Sequence, residues 1–539
     1  MKLLISNFKF LVSKYWKILL LIVCSVAFFF VYSYLAYDNI GPKFTWPDEM
    51  ANNYFINIFS ATGQMKMAEP LNELAGNLLV PRSFNFINGN LVPGTFLGFD
   101  LIYGLISWVI GMRLILFVTP LLAALIPLFF YFLIKRVFED KIALISALAL
   151  YALAPFWYYS SLVMLPTAAF LFFLILGFAL IIRQKKWQYL LGFISIGLTL
   201  GIRTSETIWV FGILILLAIF YKRYKLWDII LAILGIVIAL APILFFNQQT
   251  FGSALSFGYL PIGDNGSVSL PTEFVRSTNI YLSYLQSAIM PFGFAPLTIM
   301  KNFYLYGIKI FWYLLIPGFL GAVLILKQYR IDKNKLAYVI VSALVSLLIL
   351  IYYGSWVFAD PLTMHLNVLG LSYVRYFLPI FILALPLAVF LFGEIVKKYK
   401  PTMQKVIIGL IVVLYLGVSI NQVYYSGLDN LKAVKSYILS YHFIAAEVLV
   451  QTEDTAIIMT DRADKIFFPQ RRVIPKWDWT KLDNLKKIIT DYPIYYLGYD
   501  SQAKVDELNK NFLITQSLEL SGQKVIADQY YMYKLKILD

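Results

Sequence analysis

Apolar runs of about twenty residues recur along the chain, and short stretches rich in Lys and Arg separate them. A run of that length crosses a bilayer as a helix, and lipid offers the backbone no other way to satisfy its polar groups. The first run, about Trp16 to Tyr37, follows Lys2, Lys9, Lys14 and Lys17. Basic residues collect on the cytoplasmic side, so the N-terminus is expected inside and the residues after Tyr37 outside. No small-residue cleavage site closes this run, which therefore reads as an uncleaved signal anchor. Alternation of later runs with basic clusters (Lys135 and Arg136, Lys185 and Lys186, Lys222 to Lys225, Lys327 to Lys335, Lys397 to Lys400) predicts about eleven spans, the last ending near Tyr424 on the outer side.

The pattern changes in two places. Residues 38–111 form a first outer loop containing two helical stretches. In one, Ala51, Tyr54, Phe55, Ile58 and Phe59 share a stripe at helical spacing while Asn52, Asn53 and Asn57 lie elsewhere, which suits a helix lying in the membrane interface. Counting the other, Thr95 to Ile110, as a span would turn every later basic cluster outward, so it too is expected to be interfacial. From about Asp429, charges of both signs become frequent, and strand-like runs appear at 455–460, 494–499 and 530–537. A helix is expected to open at Thr480 and to run through Leu482, Leu485 and Ile489. The predicted division is a membrane domain over 1–428 and a small outer-face α/β domain over 429–539.

Composition excludes a soluble protein: 60% of the 539 residues are hydrophobic and 14% charged, with a mean hydropathy of +0.74. The net charge of +15 resides in short loops, not in a basic patch on a soluble domain, so it reads as orientation charge and not as a nucleic-acid surface. One cysteine, Cys24, leaves no disulfide framework and no Cys-type metal site within the chain.

The candidate chemistry centres on Thr45-Trp46-Pro47-Asp48-Glu49, just past the first span. Thr45 and Asp48 resemble a capping box with Pro47 in the first turn, which is the plainest role for such acids. Counting back from Ala51 and Phe55, however, puts Asp48 on the inward stripe, where an acid costs free energy unless it is used or paired. There Asp48, with Glu49 beside it, can act as a general base. Arg203 and Glu206 are three apart and suit an ion pair on one helix face, but Arg203 also suits a phosphate, as does Arg375, flanked by Tyr373 and Tyr376. Arg82 and Lys66, in the first outer loop, are further phosphate or headgroup candidates. His365, Tyr376 and Glu206 are candidate sugar or acceptor contacts. No cofactor is called for with certainty. A divalent metal remains open, since Asp48 and Glu49 could share an ion with Asp360 or Asp264, although no His/Cys cluster supports it.

Together, Pro47-Asp48-Glu49, Pro93-Gly94-Thr95-Phe96-Leu97-Gly98, Arg113, Tyr158-Tyr159-Ser160-Ser161 with Leu165-Pro166, and Arg375-Tyr376-Phe377-Leu378-Pro379 resemble the GT-C glycosyltransferase superfamily, in the branch of the protein O-mannosyltransferases and the lipid A aminoarabinose transferase. The resemblance covers about Lys14 to Lys400 and rests on the order and placement of the motifs. It implies an all-α polytopic membrane domain with interfacial helices in the first outer loop, joined here to the small C-terminal α/β domain. It also implies a polyprenyl-phosphate-linked sugar as donor, an active site on the outer face, and Asp48 as the catalytic acid residue. Where relatives often carry an acid after the proline between spans three and four, this chain has Thr167.

The expected function is transfer of one sugar from a polyprenyl phosphate to a hydroxyl of a protein, lipid or glycan acceptor, by inverting displacement. One base suffices, because phosphate leaves without protonation. The rival readings are a transporter or flippase for lipid-linked sugars, which favours ionisable groups and broken helices near the midplane, and a polysaccharide polymerase or ligase.

Overall fold

The computed structural model describes residues 2–38, 41–182, 185–221, 225–259, 290–328, 332–357, 368–475, 481–527 and 530–538. His365, Asp264, Asp360 and the expected N-cap Thr480 lie outside the described residues. Among the described residues seven helices are long and apolar enough to cross a bilayer, or up to nine if each of two bent pairs is one span. Each predicted run does coincide with a helix. The count differs from eleven because Lys186–Ile202 and Thr204–Phe220 form one pair bent by 116°, and because Val118–Ile134 and Thr167–Ile181 have only 17 and 15 residues. At 1.5 Å per residue those two reach about 22–26 Å, short of a hydrocarbon core of about 30 Å. Leu431–Gln451 is also long and apolar enough, in a stretch for which the sequence predicts no helix.

By internal contacts the chain divides into two units. The first comprises 1–36, 116–242 and 271–433 and is helical. Its helices pack closely where glycines allow it: a Cβ on Gly177 would lie 3.0 Å from the Gly192 carbonyl oxygen, and one on Gly192 equally close to that of Gly177. The chain breaks helix where its residues demand it. Pro155 cannot continue the Asp140–Tyr151 helix and instead enters the first turn of Ala154–Ser161. Arg203, at φ −142° and ψ 84°, leaves helical geometry and opens a short 3-10 turn over Thr204–Glu206.

The second unit comprises 37–115, 243–270 and 434–539, so the predicted outer loop groups with the C-terminal segment and not with the spans before and after it. Its two expected helices are present as Pro47–Thr62 and Leu97–Ile110. The latter has 14 residues, too few to span, and exposes Leu105, Trp108 and Val109. Between them lies an antiparallel sheet that hydrophobic patterning does not reveal, with β1 (Met67–Ala68), β2 (Phe84–Ile87) and β3 (Asn90–Pro93) in the order β1-β3-β2. The C-terminal segment forms a mixed five-stranded sheet from β4 (Ile457–Thr460), β5 (Arg472–Ile474), β6 (Ile494–Gly498), β7 (Leu518–Ala527) and β8 (Tyr530–Ile537), ordered β5-β4-β6-β8-β7. β4 runs parallel to β5 and β6, and β8 antiparallel to β6 and β7. Leu482–Ile488 supplies the expected helix. One hydrophobic core unites Leu71, Ala75, Leu78 and Leu79 of the first loop with Ile457, Met459, Ile494, Leu518 and Tyr533 of the sheet.

Candidate functional site

Asp48 and Glu49 stand in the first turn of Pro47–Thr62, but they do not cap it. The N-cap position falls on Trp46, whose side chain makes no capping bond, and the hydroxyl of Thr45 is buried without a hydrogen bond. The capping box suggested by the spacing is therefore not formed. The buried stripe is also rotated from the expected one. Glu49, Met50, Ala51, Asn52, Phe55, Ile56 and Phe59 face inward, so Glu49, 3% exposed, takes the deepest position while Asp48 is half-buried. The burial of Asn52 corrects its placement off the apolar stripe. It sits near Thr95, whose hydroxyl lies 3.5 Å from the Asn52 side-chain oxygen.

Asp48 receives a hydrogen bond from Ser83, Oγ to Oδ1, at 2.6 Å. The backbone explains why a serine reaches it. Ser83 adopts φ +66°, and its carbonyl accepts from the Gly94 N–H at 2.9 Å. A Cβ at Gly94 would lie 2.7 Å from the Ser83 carbonyl carbon and oxygen, so only glycine admits this approach. The Pro93-Gly94 motif thus presses the Ser83 turn into place against Asp48.

Arg82, next in the chain, is engaged by Asp464. Its Nε and Nη2 donate to Asp464 Oδ1 at 2.9 and 2.6 Å, its backbone N–H donates to Oδ2 at 2.9 Å, and Nη2 also reaches the Arg462 carbonyl. Asp464 is fully buried, which makes the pair a structural tie before any other role. Lys66 is exposed and lines a cavity of about 300 Å³ with Gln64, Met65, Phe246, Gln249 and Thr250.

In the helical unit, the 3-10 turn and Ser372–Val396 bring Arg203, Glu206, Arg375 and Tyr376 together. Arg203 Nη2 pairs with Glu206 Oε1 at 2.8 Å, and both side chains are buried. Glu206 also accepts from the Tyr353 hydroxyl at 2.9 Å and from the Trp209 indole N–H. The Arg203 guanidinium lies over the rings of Phe170 and Tyr376, 5.3 and 5.0 Å from their centroids. Tyr376 is shared: the Arg375 guanidinium also lies 5.0 Å from its centroid and donates to its hydroxyl at 3.0 Å. Tyr353 stacks on Tyr376 at 4.1 Å with the rings parallel. These contacts hold two planar cations against one phenol ring and fix their orientation. A small space of about 70 Å³ borders Glu206, Ser205, Trp209 and Tyr353. Tyr159, from the Tyr158-Tyr159 motif, donates to the carbonyls of Leu369 and Leu371 at 2.7 and 2.9 Å and so fixes the approach to Arg375.

Sequence reasoning missed the residues that reach the acid-bearing loop from far along the chain. Lys465 donates to the Thr45 carbonyl, and Lys43 donates to the Ile466 carbonyl and, at 3.1 Å, to Gln470 Oε1. Burial pulls both ammonium groups down to about 8; around Lys465, Arg82 and Arg462 act in the same direction, and Asp464 and Glu49 oppose it. Nothing near Lys465 in sequence signals this role. Among the described residues no three His, Cys, Asp or Glu side chains gather to hold a metal ion.

No family model matches the chain, and no curated protein matches it in sequence. Solved structures do match. ArnT from Cupriavidus metallidurans, a lipid A aminoarabinose transferase in its apo state, superposes with a TM-score of 0.52 at 12% identity, over 97% of this chain and 98% of that one. The oligosaccharyltransferase AglB from Archaeoglobus fulgidus, in complex with an inhibitory peptide and a dolichol-phosphate, gives 0.49 at 12% identity over 90% of this chain and 70% of that one. The likeness to ArnT runs from the first helix through the C-terminal sheet, and the chain accordingly has the fold of the GT-C membrane enzymes.

Proposed function

We propose that this protein is a membrane glycosyltransferase that moves a single sugar from a polyprenyl-phosphate donor to an acceptor hydroxyl, with Asp48 as general base. The observation that carries the proposal is the state of Asp48. It opens a helix without capping it, it is only half-buried, and the Ser83 hydroxyl donates to its Oδ1. The fold shared with a lipid A aminoarabinose transferase over nearly the whole chain supports the reaction class.

The reaction balances with one base. Asp48 takes the proton of the acceptor hydroxyl as its oxygen attacks the anomeric carbon. The bond from that carbon to the phosphate oxygen breaks, its electron pair stays on the phosphate, and the configuration inverts. The Ser83 bond to Oδ1 aims the carboxylate toward the acceptor. Glu49, buried one residue away, adds negative charge that keeps the acceptor proton moving toward the pair. Arg203 and Arg375, with guanidinium planes set by Tyr376, are the proposed partners of the donor phosphate, and Lys66 and Arg82 hold headgroup charge near the first loop. In this reading the active site and the 429–539 domain face outward and the N-terminus inward. The acceptor is a protein, lipid or glycan hydroxyl.

The test is an assay of the purified full-length protein with a panel of polyprenyl-phosphate sugars and hydroxyl acceptors. The expected result is release of polyprenyl phosphate with formation of an inverted glycoside from at least one donor. Donor hydrolysis and transfer absent across the panel, in protein shown to bind the donors, would overturn it.

A further inference from the structure

The C-terminal segment touches the acid-bearing loop through a reciprocal contact. Lys465 of the Asp464–Phe467 turn donates to the Thr45 carbonyl, three residues before Asp48. Lys43 of the loop donates back to the Ile466 carbonyl and to Gln470. The two bonds run in opposite directions between the same short segments, 423 and 420 positions apart in the chain. Around them the turn is anchored again by Arg82 on Asp464 and by Phe468, whose ring meets Tyr54 at 4.7 Å and Phe84 at 5.0 Å. The Lys465 ammonium lies 5.3 Å from the Tyr441 ring centroid and within the field of Glu49. His442, beside Lys43, lies against Gly41 at the start of the same loop.

Lysine is a poor choice for a purely structural bond, because taking an ammonium out of water is costly unless its charge is used. Lys43 is buried and Lys465 half-buried, and both donate to neutral oxygens. The Lys465 charge lies in the fields of Asp464 and, more weakly, Glu49, beside a helix start whose N-cap residue makes no side-chain capping bond.

We propose that Lys43 and Lys465 form a clasp by which the C-terminal segment positions the Asp48–Glu49 turn, making both lysines positioning residues for the proposed transfer. The inference rests on the reading of Asp48 as base. Through the clasp the C-terminal segment completes the catalytic turn and does not merely cover it. A misplaced base is expensive, since a shift of about 1 Å costs about a hundredfold in rate.

The experiment compares full-length wild type, Lys465→Met, Lys43→Met and Lys465→Arg in lipid nanodiscs, by amide hydrogen exchange and by transfer kinetics. Methionine keeps the stem and removes the charge and donor. The expected result is exchange at least about tenfold faster in peptides spanning 41–52, with unchanged exchange across β4, β6 and β8. Turnover should fall by about ten- to a hundredfold with donor KM within about threefold, and Lys465→Arg should recover most of both. Unchanged exchange at 41–52 would overturn the clasp, as would faster exchange spread over the whole five-stranded sheet. The exchange measurement judges the clasp by itself. Wild-type turnover in Asp48→Asn would remove the base and leave that measurement standing.

Discussion

The surroundings of Asp48 and those of Arg203 solve the same problem, holding charged groups still in a largely apolar protein, by opposite means. Around Arg203 the device is local and aromatic: a carboxylate three residues away, the rings of Phe170 and Tyr376 against the guanidinium, and Tyr353 stacked on Tyr376. Around Asp48 it is distant and polar: Ser83, then Arg82 to Asp464, then two lysines exchanging bonds with carbonyls more than four hundred residues away. Aromatic stacking tolerates burial and orients a guanidinium without taking up its N–H donors. Backbone carbonyls and buried carboxylates fix position more sharply, but they demand partners from elsewhere in the chain. The first arrangement fits the proposed phosphate contact of Arg203, and the second the proposed role of Asp48 as base.

The most damaging way to test this contrast is at the proposed base. Asp48→Asn keeps the shape and the Ser83 contact but removes basicity, so transfer should fall by about 10²- to 10⁴-fold with folding and donor binding retained, as read by turnover and donor affinity. Next comes stability. Glu206→Gln leaves Arg203 buried without its counter-charge and should cost about 3–5 kcal/mol in denaturant titration. Asp464→Asn should cost less, because Arg82 is 30% exposed and water can take over part of its demand. A larger loss at Asp464 would reverse the contrast. Arg203→Lys keeps the charge but loses the planar fork and its stacking. It should raise donor KM by about tenfold and leave acceptor KM within about twofold. Equal effects on both would reduce Arg203 to a structural partner of Glu206.

The smallest expected effect is a pH dependence. Lys465 and Lys43 titrate near 8 in the folded protein, against an ordinary 10.5. Between those values the unfolded chain holds protons that the folded chain has lost, so stability rises with pH across that window. For Lys465, burial and the neighbouring Arg82 and Arg462 drive the shift, against Asp464 and Glu49; for Lys43, beside His442, burial drives it. Stability of wild type measured from pH 8 to 10 should therefore climb more steeply than that of Lys43→Met/Lys465→Met. Parallel curves would mean that the two ammonium groups are not held in the dry environment the fold gives them.

What the sequence made legible follows the same division. The Arg203–Glu206 pair could be read from a spacing of three, and the apolar runs from their length. The interfacial reading of 95–110 came from charge alternation, and its 14 residues agree with it. The strands 494–498 and 530–537 showed as β-branched and aromatic runs, whereas Arg472–Ile474 was too short and Leu518–Ala527 too polar to stand out. The Asp48 environment was legible only to the acid itself. Its stripe was misplaced by one position because the buried face takes in Asn52, Ile56 and Phe59 as well as Ala51 and Phe55, and so centres on Glu49. Ser83, Lys465 and Asp464 lie on turns and short helices, where no periodicity marks which residue will face which.

The shared core of Leu71, Ala75, Leu78 and Leu79 with the five-stranded sheet has a consequence for biogenesis. These four side chains leave the ribosome some 380 residues before Ile457, an interval of about 20–80 s at ordinary elongation rates. Through that interval the nascent loop carries greasy side chains with nothing to bury them. A polypeptide that stops short of its last strand leaves part of that core unbuilt, so the first loop reaches its packed state only once the sheet is complete.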